Sequence, residues 1–136
     1  MSSPNVLSAV TRLGTAFRAR DLAGAMDCFV DDSHICYEGS EYGEKALGRP
    51  AVEQLLRDLF ARPEAYTWEI RDAEVFAADG IAYVSCDLTG YVFCNGGDRE
   101  SFPYRLCGLL ELTPVGWRWR ACHGCEPAFA GHPFNP

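Results

Sequence analysis

The residue type that most directly suggests chemistry in this sequence is the histidine at position 123. Its imidazole titrates near neutral pH, so it can act as a general acid or base, or hydrogen-bond a ligand. On a regular strand His123 shares a face with Trp117, Trp119 and Ala121. This alternation predicts that His123 points toward the core. The competing interpretation is a structural histidine that hydrogen-bonds a backbone carbonyl.

Arg105 and Trp68 are candidate ligand contacts on two other segments. A guanidinium on the inner face of a sheet would select anionic or carbonyl-bearing ligands. An outward Arg105 would instead pair with Glu100, Glu111 or a neighbour. Trp68 is either one aromatic wall of a pocket or an ordinary core residue. Both interpretations stay open for each of these residues.

Seven cysteines raise the question of a metal site, above all in the run Cys122-His123-Gly124-Cys125. Zinc takes four ligands of these types, but a second CxxC pair is absent from the sequence. Cys122 and Cys125 also differ in parity, so a regular strand would turn them to opposite faces. We therefore expect no metal and no cofactor. Mostly buried, reduced thiols in a cytoplasmic protein are the expectation.

Composition narrows the classes of partner. The 136 residues carry a net charge of −7, and Lys45 is the only lysine. Nucleic acids and anionic membranes are bound by clustered Lys and Arg, so neither is an expected partner. No apolar run approaches the roughly 18 residues that span a bilayer. The first residues lack a basic head followed by an apolar run, so we expect no secretory signal.

Three segments in the first half have the spacing of amphipathic helices. Ser3-Pro4 is typical of a helix start, Asp21 is expected to cap a second short helix, and Pro50 to open a third that ends at Arg62-Pro63. The apolar face of the first consists of Val6, Leu7, Val10, Leu13 and Phe17. Between the last two helices we expect a short strand at residues 34–38 and a polar loop at 39–48.

The second half has the pattern of consecutive strands. They are expected from Tyr66 onward and at about 81–93, 101–112 and 117–125, with turns at 95–98 and 113–116. Trp68 and Ile70 differ in parity from Val75, which predicts a bulge between them. Asp79-Gly80 predicts a two-residue hairpin. Helices followed by hairpin-connected strands indicate a single α+β domain over 1–136, with its core at about 6–127 and a Pro-containing tail at 128–136.

This order of elements resembles the nuclear-transport-factor-2-like superfamily, in particular its SnoaL-like and ketosteroid-isomerase-like branch. The resemblance is carried by Ala23-Gly24, Asp31-Asp32, Gly48-Arg49-Pro50-Ala51-Val52, Asp79-Gly80-Ile81-Ala82-Tyr83-Val84, Gly116-Trp117-Arg118-Trp119 and His123. It implies a cone-shaped domain in which three N-terminal helices pack on a strongly curved, mostly antiparallel sheet, the cystatin-like arrangement. It also implies a pocket at the open end of the cone.

The resemblance further implies a homodimer formed through the outer face of the sheet. Residues of alternating character are compatible with this: Tyr83, Ser85, Asp87, Thr89 and Tyr91 alternate with Ala82, Val84, Cys86 and Leu88. Tyrosine-rich faces suit interfaces. A solvated sheet face is the alternative.

Ketosteroid isomerases remove a substrate proton with a carboxylate near the end of the first strand. On this chain that position falls on or beside Tyr37, with Glu38 one residue further, and a shift of one residue changes the face. In those isomerases a tyrosine and a protonated aspartate stabilise the oxyanion. In the corresponding stretches this chain has Phe17, Arg105 and Cys107 instead. Isomerase chemistry of that kind is therefore not expected.

The sequence thus predicts a SnoaL-like domain whose pocket binds a small organic molecule. Tyr37, Trp68 and Arg105 are the predicted ligand contacts. If the domain is an enzyme, His123 would be the acid or base of a proton transfer of isomerase, cyclase or dehydratase type. The alternative is a non-catalytic ligand-binding or assembly module, because the fold hosts both kinds of protein.

Overall fold

Three helices and six strands make up the domain in a computed structural model that describes residues 3–94 and 97–127. In chain order they are α1 (Ser3–Ala19), α2 (Leu22–Asp27), β1 (Cys36–Glu38), β2 (Lys45–Leu47), α3 (Arg49–Phe60), β3 (Ala65–Ala78), β4 (Ile81–Phe93), β5 (Arg99–Thr113) and β6 (Gly116–Cys125). Over these ranges none of the helices has the length and apolar character to cross a bilayer. The α+β class expected from the sequence is confirmed.

All six strands belong to one curved sheet in the order β2-β1-β6-β5-β4-β3. Every neighbouring pair is antiparallel except β1 and β6, which run parallel. The helices cover the inner face, and the core lies between the two layers. Its fully buried side chains include Val10, Leu13, Leu56, Val84, Leu106, Leu110 and Trp119. Alternation along β4 is as predicted, because Ala82, Val84, Cys86 and Leu88 are buried.

Local signals in the sequence set the ends of the elements correctly. The side chain of Asp21 accepts a hydrogen bond from the Gly24 amide and caps α2. Pro50 lies in the first turn of α3. Asp79 and Gly80 have φ angles of 53° and 78°, as a type I′ hairpin requires at both central positions. The predicted bulge in β3 is present, since the pairing with β4 skips Arg71.

The polar loop expected at 39–48 contains an unpredicted strand. β2 pairs antiparallel with β1, with Tyr37 opposite Ala46. Only Ala46 of its three residues is buried. Three residues are too few for an alternation to be recognised in the sequence. Strand β1 itself starts at Cys36, two residues later than expected. Asn95, Gly96 and the tail at 128–136 lie outside the described residues.

A second bulge, in β6, was not predicted and changes which residues face the core. Leu109 pairs with Ala121 while Leu110 pairs with Trp119, so Arg120 has no partner on β5. The parity of β6 therefore reverses after Trp119, and Cys122 is buried. The expectation that His123 points inward is wrong for this reason. Its side chain is 59% exposed on the outer face.

The guanidinium of Arg120 holds this bulge in place. Its Nε and Nη2 donate to the two carboxylate oxygens of Glu111 at 2.7 and 2.8 Å. Its Nη1 donates to Asp32 Oδ1 at 2.7 Å and to the His34 carbonyl at 2.6 Å. Hydrogen bonds from Arg120 are the main reason that the pKa values of Asp32 and Glu111 lie below their ordinary range. The bulge is thus tied both to β5 and to the segment that precedes β1.

This cluster predicts a specific pH dependence of stability. Because the folded-state pKa values of Asp32 and Glu111 are lowered, their contribution is present above the ordinary carboxyl pKa of about 4 and is lost as pH falls through the folded values. Arg120→Met is expected to lower the urea midpoint at pH 7, with a gap to wild type that narrows between about pH 5 and pH 3. Arg57→Met, which removes an exposed pair with Glu53, is the control. A gap that stays constant with pH would contradict this role.

Candidate functional site

A cavity of about 110 Å³ opens between the helices and the ends of β1, β3 and β5. Its lining consists of Phe17, Tyr37, Ser40, Glu41, Glu44, Leu59, Arg62, Tyr66, Thr67, Trp68, Phe102, Tyr104 and Glu126. Six of these residues are aromatic and three are glutamates. The cavity therefore combines apolar walls with an acidic opening, a composition suited to a small organic molecule.

Trp68 forms one wall and is held rigidly. Its indole Nε1 donates to the Val10 carbonyl at 3.0 Å, which anchors β3 to α1. Its ring lies 5.1 Å from that of Phe17 and is stacked against Tyr104 at 6.3 Å with an interplanar angle of 25°. Because the N–H is already used, the indole offers the cavity its apolar surface. The structure thus places Trp68 at the cavity, and ligand contact by Trp68 stays a prediction.

Two tyrosines supply polar groups to the cavity, Tyr37 buried and Tyr104 partly buried. Tyr37 is 4% exposed and points inward from β1, where it pairs in register with Cys122 of β6. Burial raises its pKa well above the ordinary value, and the nearby Tyr104 adds to the shift. Burial likewise raises the pKa of Tyr104. Both phenols therefore stay protonated at neutral pH and can donate a hydrogen bond to a ligand.

Tyr104 owes its position to a glycine on the adjacent strand. The hydroxyl of Tyr104 lies directly over Gly124 of β6, where a Cβ would overlap the hydroxyl oxygen and approach ring carbon Cζ to 2.7 Å. A side chain at position 124 would push the ring into the cavity. Sequence reasoning missed Tyr104, although it shares inward parity with Leu106 and Leu110 on β5. That alternation was the available signal.

Glu44 brings a carboxylate to the same cavity. Its side chain is only 15% exposed, and its Oε1 accepts a hydrogen bond from the Glu41 amide at 3.2 Å. The Gly39 amide donates to its backbone carbonyl at 2.7 Å, which closes the turn between β1 and β2. Glu44 was also missed, because the stretch 39–48 has no periodicity that would show which side chains turn inward.

Two of the predicted site residues lie elsewhere. His123 is on the outer sheet face, with its Nδ1 3.9 Å from Glu38 Oε1. Arg105 also points outward, and its Nε donates to Asp87 at 2.8 Å across β4 and β5. The alternative interpretation, in which Arg105 points outward and pairs with a neighbour, therefore describes its position. Neither Arg105 nor Glu38 is among the residues that line the cavity.

The cysteines show no arrangement for chemistry in the described part of the chain. All seven are free thiols. No group of three or more His, Cys, Asp or Glu side chains within residues 3–94 and 97–127 is arranged to hold a metal ion. Burial raises the pKa of Cys86 to about 11 and raises that of Cys122 well above its ordinary value. These two are therefore neutral thiols at neutral pH.

The match to a known family decides the identity of the fold. The family model described as SnoaL-like domain matches residues 6–128. The chain belongs to the SnoaL-like domain family. No curated protein matches it.

Solved structures similar to this SnoaL-like domain share its fold at low sequence identity. A protein of the NTF2-like family from Streptomyces avermitilis, provisionally named a dehydratase, is 15% identical with a TM-score of 0.81, over 93% of this chain and 97% of that one. One from Novosphingobium aromaticivorans, provisionally named an aromatic ring hydroxylase, is 14% identical with a TM-score of 0.77, over 93% and 89%. A Nostoc punctiforme protein of unknown function with a cystatin-like fold is 13% identical with a TM-score of 0.72, over 96% and 93%.

The contact between Gly124 and Tyr104 generates a double-mutant prediction. Gly124→Ala is expected to destabilise the domain by about 1–3 kcal/mol, because the new methyl group overlaps the Tyr104 hydroxyl. In a Tyr104→Phe background the cost is expected to fall, since the closest atom is then gone. Urea unfolding of the four proteins measures this coupling. An equal cost in both backgrounds would show that the contact does not form.

Proposed function

We propose that this SnoaL-like domain binds a small organic molecule in the cavity and transfers a proton on it. Glu44 is the base, and Tyr37 and Tyr104 hydrogen-bond the oxygen that gains charge. The observation that carries this proposal is the position of Glu44, whose side chain is 15% exposed and lines the same small cavity as the two phenols. Such a pairing of a base with neutral donors suits abstraction of a proton from a carbon next to a carbonyl group.

The chemistry of the step follows from the residue types. Glu44 takes a proton from the carbon, and the electron pair of the broken C–H bond moves toward the carbonyl oxygen. The resulting enolate oxygen accepts hydrogen bonds from the phenols, which remain protonated because burial raises the pKa of each. In an isomerase the protonated Glu44 returns the proton to another carbon. In a dehydratase the enolate re-forms the carbonyl as the bond to a β-hydroxyl group breaks, and the hydroxyl takes the proton from Glu44 and leaves as water. Each outcome begins with the same abstraction.

Cavity volume limits the part of the ligand that enters. About 110 Å³ is somewhat less than the engineered cavities of about 150 Å³ that take up benzene. A single ring against Trp68 and Tyr104 fits this size, and a larger ligand would extend through the opening. His123 and Arg105 have no part in this proposal, because both point away from the cavity.

A non-catalytic binding or assembly module is the second candidate, and a row of exposed apolar side chains on the outer sheet face is available for assembly in either case. Phe76 and Tyr83 are 65% and 45% exposed and lie opposite each other on β3 and β4, with Leu109 next in register on β5. Ile81 extends the row at 49% exposure. We propose that a second copy of the chain covers this outer face, because apolar and aromatic side chains aligned across strands suit a self-complementary contact.

The free thiols support a reducing, cytoplasmic setting.

Deuterium exchange tests the proposed proton transfer without knowledge of the natural substrate. Phenylacetone in D₂O is expected to incorporate deuterium at its α-carbons faster with the protein than without it, as followed by ¹H NMR. Glu44→Gln is expected to reduce the protein-dependent rate by about 10²-fold or more, as for loss of a general base. His123→Ala is the matched control and is expected to leave the rate unchanged. An unchanged rate in Glu44→Gln would overturn the role of Glu44, and binding without exchange would favour the non-catalytic candidate.

The proposed dimer is tested by sedimentation velocity. Wild-type protein is expected to sediment as a dimer, and Tyr83→Glu to sediment as a monomer because it buries a charge in the contact. Tyr42→Glu, on a fully exposed loop residue, controls for added charge alone. A wild-type protein that remains monomeric across the concentration range would contradict the interface.

A further inference from the structure

Charge is unevenly distributed around the opening of the cavity. The carboxylates of Glu41, Glu44 and Glu126 face a single guanidinium, that of Arg62, so three negative charges against one positive charge leave two unbalanced. Arg62 Nη1 lies 3.9 Å from Glu41 and 4.0 Å from Glu44, too far for a charge-assisted hydrogen bond. Among the described residues, the hydrogen-bond partner of Glu126 is the Ser40 hydroxyl, in a long contact of 3.5 Å. The opening therefore has capacity for a cation.

The walls behind this opening also favour positive charge. Aromatic faces carry the negative part of the ring quadrupole and attract cations within about 6 Å of the centroid. The cation–ring contacts found among the described residues, Arg18 over Phe93 and Arg99 over Tyr91, involve no ring of the cavity. Trp68 and Tyr104 thus have no cation over their rings from residues 3–94 and 97–127. Both side chains line the same cavity as the carboxylates.

Partial removal of water strengthens the preference. The Glu44 side chain is 15% exposed and lies close enough to the two phenols that its charge contributes to raising the pKa of Tyr37 and of Tyr104. In such surroundings an anionic ligand is repelled, and a cation gains more than it would in water. The sequence had suggested selection of anions by Arg105, but that guanidinium lies on the outer face and pairs with Asp87.

We propose that the ligand of this pocket is an organic cation, an apolar or aromatic body that carries a protonated amine or a quaternary ammonium group. The body lies against Trp68 and Tyr104, and the cationic group is held at the opening by Glu41 and Glu126. This inference rests on the proposed binding function and adds the charge of the ligand to it. Glu44 remains available deeper in the cavity to act on the body of the ligand.

Three matched probes test the charge preference. Benzylamine, benzyl alcohol and benzoate have nearly the same size and differ in charge, so the cavity walls meet the same ring in each. NMR titrations at pH 7 and low salt are expected to give a Kd for benzylamine at least about tenfold lower than that for benzyl alcohol, with benzoate weakest. The indole N–H signal of Trp68 is expected to shift with each bound probe, which locates the site.

Variants assign the preference to the opening. In the double variant Glu41→Gln/Glu126→Gln the advantage of benzylamine is expected to fall below about threefold, since the carboxylates no longer attract it. Glu53→Gln, on the exposed face of α3, removes one negative charge elsewhere and is expected to keep the full advantage. A benzylamine advantage that survives the double variant would overturn the assignment.

The outcomes separate this inference from the function on which it rests. If benzyl alcohol shifts the Trp68 signal and binds as tightly as benzylamine, the pocket binds organic molecules and the charge preference is wrong. If none of the three probes shifts that signal, the proposed binding function fails together with the inference. If benzylamine binds without any shift of Trp68, the amine occupies another site and the inference is overturned.

Discussion

The arrangement of the site depends on the ion pairs that hold one extra residue in β6. Arg120 is bound on its two sides by Glu111 of β5 and Asp32 of the segment before β1. With Arg120 outside the pairing, Trp119 and Cys122 both face the helices. In a regular strand His123 would occupy the inward position that Gly124 takes, and Tyr104 would have no space over it. Contacts made by an interior strand of the sheet thus determine which side chains reach the cavity.

The short β1–β2 hairpin has a complementary role, because it supplies two of the polar groups that line the cavity, Tyr37 and Glu44. Parallel pairing with β6 sets Tyr37 beside Cys122 and turns its ring inward. The antiparallel return through the turn brings Glu44 back over the same opening. Neither residue could be placed by the long strands alone. The cavity is therefore assembled where a regular meander meets a small irregular edge, which is a common location for binding sites in a rigid scaffold.

Sequence reasoning predicted the elements wherever local chemistry or a visible change of parity marked them. Asp21 caps its helix with its own side chain, and Asp79-Gly80 forms its turn with its own backbone angles. The bulge at Arg71 was visible because the apolar residues before it and those after it differ in parity. The bulge at Arg120 left no such mark, because Cys122 and Gly124 are small and the alternation after Trp119 is faint. It depends on Glu111 of the neighbouring strand and on Asp32, which is far away in sequence. Trp68 and Tyr37 were placed at the cavity through hydrophobicity and family resemblance, whereas Glu44 required the three-dimensional turn.

Three arginines of the scaffold make closer contacts than the arginine at the cavity opening, and this difference bears on function. On the scaffold, Arg120, Arg105 and Arg49 each make close hydrogen bonds to carboxylates or carbonyls, at 2.6–2.9 Å for their shortest contacts. At the opening, Arg62 stays 3.9–4.0 Å from the two nearest carboxylates. The pair of Arg118 with Asp27 is also long, at 3.8 Å, so distance alone does not distinguish the opening. What distinguishes it is that its excess of carboxylates borders a cavity. A bound cation would offset the negative charge that Arg62 leaves unbalanced at the opening.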